Sequence, residues 1–335
     1  MINGLPDLLS GLRLQHGGVA IRQRMETLSV ELATGRKSDL VAASVGDPTR
    51  LYALEGQLAR LSARAERLTM AEGRAEASQT ALGMLHDSAG DLGVAVLGAI
   101  AIGDLTSART HAAGARDAFE QAVGALNTRF GGRSLFAGAA VDGPALADAN
   151  TILAALTAEV DAAATTADAL AAIEAFFDDP AGGFATLGYL GATQDAPGVD
   201  LGPEGRVDHA VRADAQAIRD MLRGLATLVI AAEHPIAAEM PAAAAFYQAG
   251  GEGLIAARDG IARLRADLGV DQARIEAAAT ATAAESGALE ILRARMVSRD
   301  PVEAAAEFQA LETQMQAVYT VTARLSGLSL TNFLR

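Results

Sequence analysis

Apolar residues recur at alternating spacings of three and four at both ends of this chain. Near the C-terminus the series comprises Phe308, Leu311, Met315, Val318 and Leu325, with Thr322 in the same frame. Near the N-terminus a matching series comprises Ile21, Met25, Leu28 and Leu32. Such spacings align the side chains along one stripe of an α-helix, as in a coiled-coil seam. The pattern predicts long amphipathic helices at both ends, although ordinary helices of a globular bundle would show the same seam.

Two helix starts are marked by an aspartate followed by a proline. Asp47-Pro48 offers an N-cap and a proline at the first helical position, and Asp300-Pro301-Val302-Glu303 repeats the device with a glutamate at the third position. The segments outside these breaks have similar lengths, so we expect the terminal helices to lie side by side. The breaks predict two helix pairs. The terminal pair is formed by 1–34 with 301–335, and a second, longer pair is formed by 48–103 with 254–299.

The terminal helices carry more apolar side chains than one seam holds. Beyond its seam, the last helix has Leu328, Leu330, Phe333 and Leu334. A two-helix pair can bury only one stripe from each helix, so the remainder must meet other subunits or stay exposed. We therefore expect the two seams and these four residues to form a self-assembly surface. The alternative is a pair of frayed ends with scattered leucines.

The middle of the chain differs from its ends in charge. The net charge is −14, and residues 141–250 hold 16 acidic and 4 basic residues. Near-neutral ends can pack against further copies, whereas an acidic middle suits solvent. We expect one helix over Ser107–Thr128, and a loop with short strands in the Gly- and Pro-rich stretch 180–206.

These patterns together predict a mainly α fold. The long N- and C-terminal helices pair as a coiled coil or helical bundle, and an α+β outer domain is inserted between them. The predicted domains are a terminal coiled coil, 1–34 with 301–335, a helical bundle, 48–140 with 251–299, and a variable, acidic, surface-exposed domain, 141–250.

The sequence offers little catalytic chemistry. It has no cysteine, and its five histidines are scattered without the spacing of a zinc site. Gly251-Glu252-Gly253 begins a GxGxxA pattern, but no convincing strand precedes it and a heptad follows. A junction between a loop and a helix explains these glycines better than a dinucleotide site. We expect no enzyme activity, no cofactor and no metal.

Charge and hydropathy exclude two further classes of partner. An acidic chain has the wrong sign for non-specific binding to nucleic acid. The longest charge-free apolar run, Leu92–Gly103, is too short for a bilayer, which needs about 20 residues. We expect no nucleic-acid binding and no membrane insertion. The N-terminus lacks the pattern of a Sec signal peptide, so we expect any export to proceed without a cleaved signal.

Several motifs resemble the flagellin superfamily, and its hook-associated branch more closely than filament flagellin. Leu32-Ala33-Thr34-Gly35-Arg36, with Gly46-Asp47-Pro48 after it, is similar to the family's N-terminal signature. Arg133-Ser134-Leu135-Phe136-Ala137-Gly138 resembles the "YLFAG" turn of that branch. The stretch from Asp300 through Leu334 resembles most strongly the hook–filament junction (hook-associated protein 3) type.

The resemblance implies an extracellular structural subunit of the bacterial flagellum. It implies that the terminal helices line an inner tube and that export uses the flagellar type III apparatus. The implied partners are copies of the chain, other hook-associated and flagellin subunits, and an export chaperone that captures the C-terminal helix.

Two other interpretations stay open. Filament flagellin has the same fold and export route, but this chain carries GRKSDLVAASVGDPTR where flagellins have an Asn-rich "RINSAKDDAA" phrase. A cytoplasmic signalling coiled coil of the chemoreceptor kind would share the long helices. Such receptors have a glutamate-rich hairpin tip, where this chain has an acidic insert.

Overall fold

A computed structural model describes residues 5–39, 49–203, 205–208 and 211–333, and all their side chains except those of 5–11, 240 and 325–333. The α-helices are α1 (Leu5–Thr34), α2 (Thr49–Ala101), α3 (Leu105–Ala112), α4 (Ala115–Leu126), α5 (Ala149–Val160), α6 (Thr166–Asp178), α7 (Gln216–Glu233), α8 (Met240–Val297) and α9 (Pro301–Phe333). The strands are β1 (Arg129–Phe130), β2 (Arg133–Ser134), β3 (Val199–Gly202) and β4 (Gly205–Val207).

The predicted fold class is confirmed. Long helices dominate, and the strands within the described ranges form two antiparallel hairpins, β1 with β2 and β3 with β4. A short π-helix, Phe184–Gly188, and a 3-10 turn, Pro235–Ala237, lie between the later helices. Among the helices described, none is long and apolar enough to cross a membrane.

The chain divides into two compact units, residues 1–63 with 283–335 and residues 64–282, with boundaries inside α2 and α8. In the first unit, α1 packs against α9. The predicted start of α9 is confirmed, because Asp300 Oδ1 accepts the backbone N–H groups of Val302 (2.8 Å) and Glu303 (3.2 Å). The other predicted start, Asp47-Pro48, lies outside the described residues.

The second unit has one large hydrophobic core. Buried side chains from α2, α4, α5, α6, α7 and α8 join in it, and among the largest are Phe119, Phe136, Phe176, Phe246 and Tyr247. The acidic segment 141–250 therefore shares its core with the helices that precede and follow it. The division of the chain into three domains stays a prediction.

A second, smaller cluster anchors the β3–β4 hairpin. Leu201 and Val207 of the hairpin are buried with side chains of α2 and α8, namely Leu68, Ala71, Ile275 and Ala278. The strands are too short to form a sheet that is stable alone. The hairpin is held by packing on the helices.

One predicted helix is interrupted. Ser107–Thr128 was expected to be continuous, but α3 ends at Ala112 and α4 begins at Ala115. Gly114 lies at the break and serves as the N-cap residue of α4. Glycine has a low helix propensity, which favours a helix end at this position.

The glycines of the GxGxxA pattern lie inside α8, so the expected junction between a loop and a helix is wrong here. A Cβ built on Gly251 would lie 2.7 Å from Leu97 Cγ of α2, and one built on Gly250 would lie 2.7 Å from Leu228 Cδ2 of α7. Both distances are shorter than a van der Waals contact. The glycines allow α2 and α7 to approach the α8 backbone closely.

We predict that Gly250→Ala destabilises the protein. The new methyl group would lie 2.7 Å from Leu228 Cδ2 and 3.1 Å from the carbonyl oxygen of Gly224. Overpacking of this kind costs about 1–3 kcal/mol, against a helix-propensity gain of about 1 kcal/mol. Chemical denaturation of the purified chain should show a net loss of free energy of unfolding.

Gly287→Ala is the matched control in the same helix, because nothing lies within 4 Å of a Cβ built there. This variant should be as stable as the wild type or more stable. Equal stability of the two variants would contradict the close-packing explanation.

Candidate functional site: the paired terminal helices

The two predicted seams meet between α1 and α9. Leu28 is fully buried, and Ile21 and Met315 are 8% and 9% exposed. The other seam residues are half-buried, namely Met25, Leu32, Phe308, Leu311 and Val318. The side chains of Leu325, Leu328, Leu330 and Phe333 lie outside those described, and Leu334 lies outside the described residues. The structure therefore brings the two seams together over residues 21–32 and 308–318.

A groove opens between α1 and α9 next to the seams. It is lined mainly by Leu14, Gly18, Val19, Met315, Val318 and Tyr319. A Cβ built on Gly18 would lie 3.9 Å from Val318 Cγ1, so this glycine faces the opposite helix. Arg22 Nη2 donates a hydrogen bond to Tyr319 Oη at 3.1 Å. The groove thus combines an apolar floor with a polar contact between the helices.

Apolar side chains outside the seams are exposed on both helices. Leu12 and Val19 of α1 are each 52% exposed, and Tyr319 and Val321 of α9 are 56% and 45% exposed. Single exposed apolar residues are ordinary on protein surfaces, but Val19 and Tyr319 both line the groove, and exposed apolar side chains at a groove are typical of a binding surface. The pair leaves apolar surface available beyond its own seam.

A buried ion pair joins the base of the two helices. Glu31 of α1 is 4% exposed, and its Oε2 lies 3.6 Å from Arg299 Nε. Arg299 Nη2 also donates to Glu307, which accepts two further hydrogen bonds from Arg24, at 3.0 and 2.8 Å. The Arg24 hydrogen bond is the main cause that lowers the pKa of Glu307, helped by the charges of Arg24 and Arg299. The network fixes α9 against α1 electrostatically.

Backbone hydrogen bonds tie the ends of α1 and α8 together at the same level. Lys37 N–H donates to Val297 O at 2.8 Å, and Arg299 N–H donates to Gly35 O at 3.0 Å. Gly35 has a φ of +66°, which glycine adopts without strain, so α1 can end and turn sharply here. The segment that follows α1 and the segment that follows α8 are therefore joined by backbone hydrogen bonds in one junction.

Sequence reasoning missed this junction. Glu31 lies next to the apolar seam between Leu28 and Leu32, a placement that could have signalled a buried charge. Its partner Arg299 directly precedes the Asp300 cap. No local pattern connects two residues so far apart in sequence.

The segment that resembles the "YLFAG" turn lies in the second unit, where it is part of the core. Phe136 and Ala137 are fully buried. Gly138 has a φ of +60°, and a Cβ built on it would lie 2.5 Å from Gln194 O. Ala139 N–H donates to the same oxygen at 2.9 Å. Only glycine fits this turn, so the fold itself explains why a glycine ends the motif.

Acidic and histidine side chains are the candidate cation ligands among the described residues. Within the described ranges, no three or more His, Asp or Glu side chains are grouped so that they could hold a metal ion. Two of the histidines instead contact protein groups: His234 Nε2 lies 3.0 Å from Asp161 Oδ1, and His86 Nδ1 lies 3.2 Å from Arg258 O.

The fold and this surface define a mainly helical protein whose N- and C-terminal helices pair and leave apolar side chains exposed. Residues 253–334, about a quarter of the chain, match the family model of the bacterial flagellin C-terminal helical region. The matched stretch includes α9 and its seam. No curated protein matches the sequence.

The match supports the flagellin superfamily and a flagellar structural subunit. The flagellin region points to a structural protein rather than an enzyme. It also implies self-assembly into a flagellar polymer, and export of the chain to the flagellum.

We predict that Arg299→Ala loosens the pairing of α1 with α9 much more than Arg24→Ala does. Arg299 is 11% exposed, and its removal would leave the buried Glu31 without a counter-charge. Loss of one partner from a buried pair typically costs about 3–5 kcal/mol, whereas exposed pairs contribute about 0–1 kcal/mol.

Arg24 is the matched control, because it binds the same Glu307 but is 46% exposed. Amide hydrogen exchange of residues 21–34 and 301–318 in the purified chain measures both effects. Equal loss of protection in the two variants would show that the buried pair does not hold the helices.

Proposed function

We propose that this chain is a hook-associated subunit, of the hook-associated protein 3 type, that joins the flagellar hook to the filament. The flagellin C-terminal match supports the superfamily. The motifs favour the junction branch, since Arg133-Ser134-Leu135-Phe136-Ala137-Gly138 and the stretch from Asp300 resemble that branch most closely.

The observation that carries the self-assembly in this proposal is the incomplete burial of the paired terminal helices. Most of their seam residues are half-buried in the single chain, and the groove beside them has an apolar floor. Neighbouring copies would cover these side chains when terminal helices pack into a tube. Burial of apolar area is the main driving force of such association.

Filament flagellin is the second candidate, because the flagellin match is compatible with both roles. The two roles differ in position and copy number along the flagellum. The sequence favours the junction, since the Asn-rich phrase of flagellins is absent from residues 35–50.

Immunogold labelling of isolated flagella separates the two roles. A junction subunit gives a single band of label at the distal end of the hook, and its deletion yields non-motile cells that shed flagellin into the medium. Continuous label along the filament would overturn the junction proposal in favour of filament flagellin. Isolated flagella without label, together with the chain in the cytoplasmic fraction of the same cells, would overturn both and favour a signalling coiled coil.

The C-terminal helix is proposed to serve twice. Its seam, from Phe308 to Leu325, with Leu328, Leu330, Phe333 and Leu334, would bind a type III export chaperone first and the inner tube afterwards. One apolar face cannot contact both partners at once. The chaperone would therefore also prevent early polymerisation, as when an amphipathic helix is held in a groove.

We predict that Leu311→Ala with Met315→Ala weakens chaperone binding and junction assembly in parallel. Truncation of a buried Leu or Met costs about 2–5 kcal/mol, and 1.4 kcal/mol is about tenfold in affinity. We expect at least a tenfold weaker complex with the export chaperone of the same organism, measured by calorimetry, and reduced spreading in soft agar.

Glu312→Ala is the control, because Glu312 lies between the two seam positions on the exposed side of α9. It should leave chaperone affinity and motility unchanged. Normal chaperone binding by the double variant, together with failed assembly, would contradict the shared surface and leave only the assembly role.

A further inference from the structure

Two arginines lie close together where the β1–β2 hairpin rests on α2. Phe130 and Arg133 are paired across the hairpin. A Cβ built on Gly73 would lie 2.6 Å from Phe130 Cζ, so the phenyl ring packs directly on this glycine. Arg74, the next residue of α2, thereby comes near Arg133.

Neither arginine has a partner within the described part of the chain. Arg74 and Arg133 form no salt bridge or side-chain hydrogen bond with another described residue, whereas Arg116, Arg212 and Arg223 all pair with carboxylates. Burial and the neighbouring Arg133 charge lower the pKa of Arg74. Two uncompensated cations in a chain of net charge −14 favour contact with an anionic group.

Apolar side chains border the two arginines. Met70 is 52% exposed, and a Cβ built on Gly131 at the hairpin tip would lie 3.4 Å from Met70 Cε. Met70, Arg74, Phe130 and Arg133 together form what we call the cationic hairpin surface. Its partner must offer negative charge beside apolar contact.

A groove of complementary character lies between α6, α7 and α8. Its floor consists of small or apolar residues, among them Ile173, Gly224, Thr227 and Gly253. A Cβ built on Gly253 would lie 3.7 Å from Gly224 Cα, so the α7 and α8 backbones run close together beneath it. The floor leaves room for a long side chain.

Two exposed carboxylates line this groove, Glu174 from α6 and Glu252 from α8. Arg223, which also lines it, already pairs with Asp178 and with Asp220, the latter at 3.0 Å. Glu174 has no partner among the described residues, and Glu252 accepts one hydrogen bond from Gln248 at 3.0 Å. We call these residues and the floor the acidic groove.

We propose that the cationic hairpin surface of one copy of this chain docks in the acidic groove of the next copy. An arginine can lay its aliphatic stem on the small-residue floor and place its guanidinium between two carboxylates. The two surfaces are built from different elements, so the contact is head-to-tail. Repetition of such a contact produces a ring or a helical array. The proposal rests on the self-assembly proposed above and names the surfaces involved.

Chemical crosslinking in isolated flagella tests the contact. The chain has no cysteine, so a two-cysteine variant reacts only at the chosen positions. The variant Arg133→Cys with Glu252→Cys is treated with a short bismaleimide, which spans the distance that the two longer side chains covered. It should give a ladder of dimers and larger multimers on denaturing gels. Each single variant should give no ladder, because a head-to-tail contact requires both cysteines.

Arg133→Cys with Glu159→Cys is the matched control, because Glu159 is exposed on α5 and lies outside the groove. Equal ladders from the two pairs would overturn the proposal. So would the absence of a ladder in flagella that contain normal amounts of the variant, or crosslinking only to a different subunit.

Charge reversal provides a second readout that does not depend on crosslinking geometry. Glu174→Arg with Glu252→Arg should reduce incorporation into flagella at least tenfold, and Arg74→Glu with Arg133→Glu on the same chain should restore much of it. Helical content of the purified monomers identifies misfolded variants. If the variants fold but the second pair of substitutions does not restore incorporation, the proposed contact is wrong. The choice between junction and filament is independent of this result, because it depends on the position of the immunogold label.

Discussion

A pair of helices can bury one stripe of side chains from each partner, and this limit explains how the two units differ. In residues 64–282, several helices surround the core, so large side chains such as Phe119 and Phe176 are fully buried. In the terminal unit, α1 packs against α9, and much of the seam remains half-buried. An isolated helix pair of this kind gains little stability from its own packing. The apolar surface that the pair leaves exposed is the physical basis of the proposed assembly.

Small residues and one buried ion pair compensate for the scarcity of bulky side chains. Only 4% of the residues are aromatic, so much of the contact area between long helices must come from close approach of their backbones. Gly250 and Gly251 provide that approach within the second unit. In the terminal unit, the Arg299 ion pair with Glu31 and the hydrogen bonds at Gly35 fix the position of the helices relative to one another along their axes. The pair is thus specified by polar contacts while its apolar face stays available.

The sequence predicted features that depend on local periodicity and capping. The seams from Ile21 to Leu32 and from Phe308 to Val318 lie on helices that pack together, and Asp300 caps α9 as expected. Features that depend on tertiary contact were not predictable. The glycines at 251 and 253 resemble a loop motif until their neighbours in α2 and α7 are known. Likewise, Glu31 is recognisable as a buried charge only once Arg299 is placed beside it. The assembly and chaperone roles of the seam residues stay predictions.

In the proposed polymer, apolar burial would determine the affinity between copies and charge would determine their orientation. Copies with a net charge of −14 repel one another, but at physiological salt this repulsion is screened beyond about 8 Å. Apolar burial at the terminal helices acts only on contact and is not screened, so it would supply most of the affinity. Local charge complementarity contributes more to orientation and partner choice than to affinity. An arginine pair and a carboxylate pair in the second unit would therefore fix the register between neighbours. A register fixed there would let the terminal helices bury their apolar faces without specific polar contacts of their own to neighbouring copies.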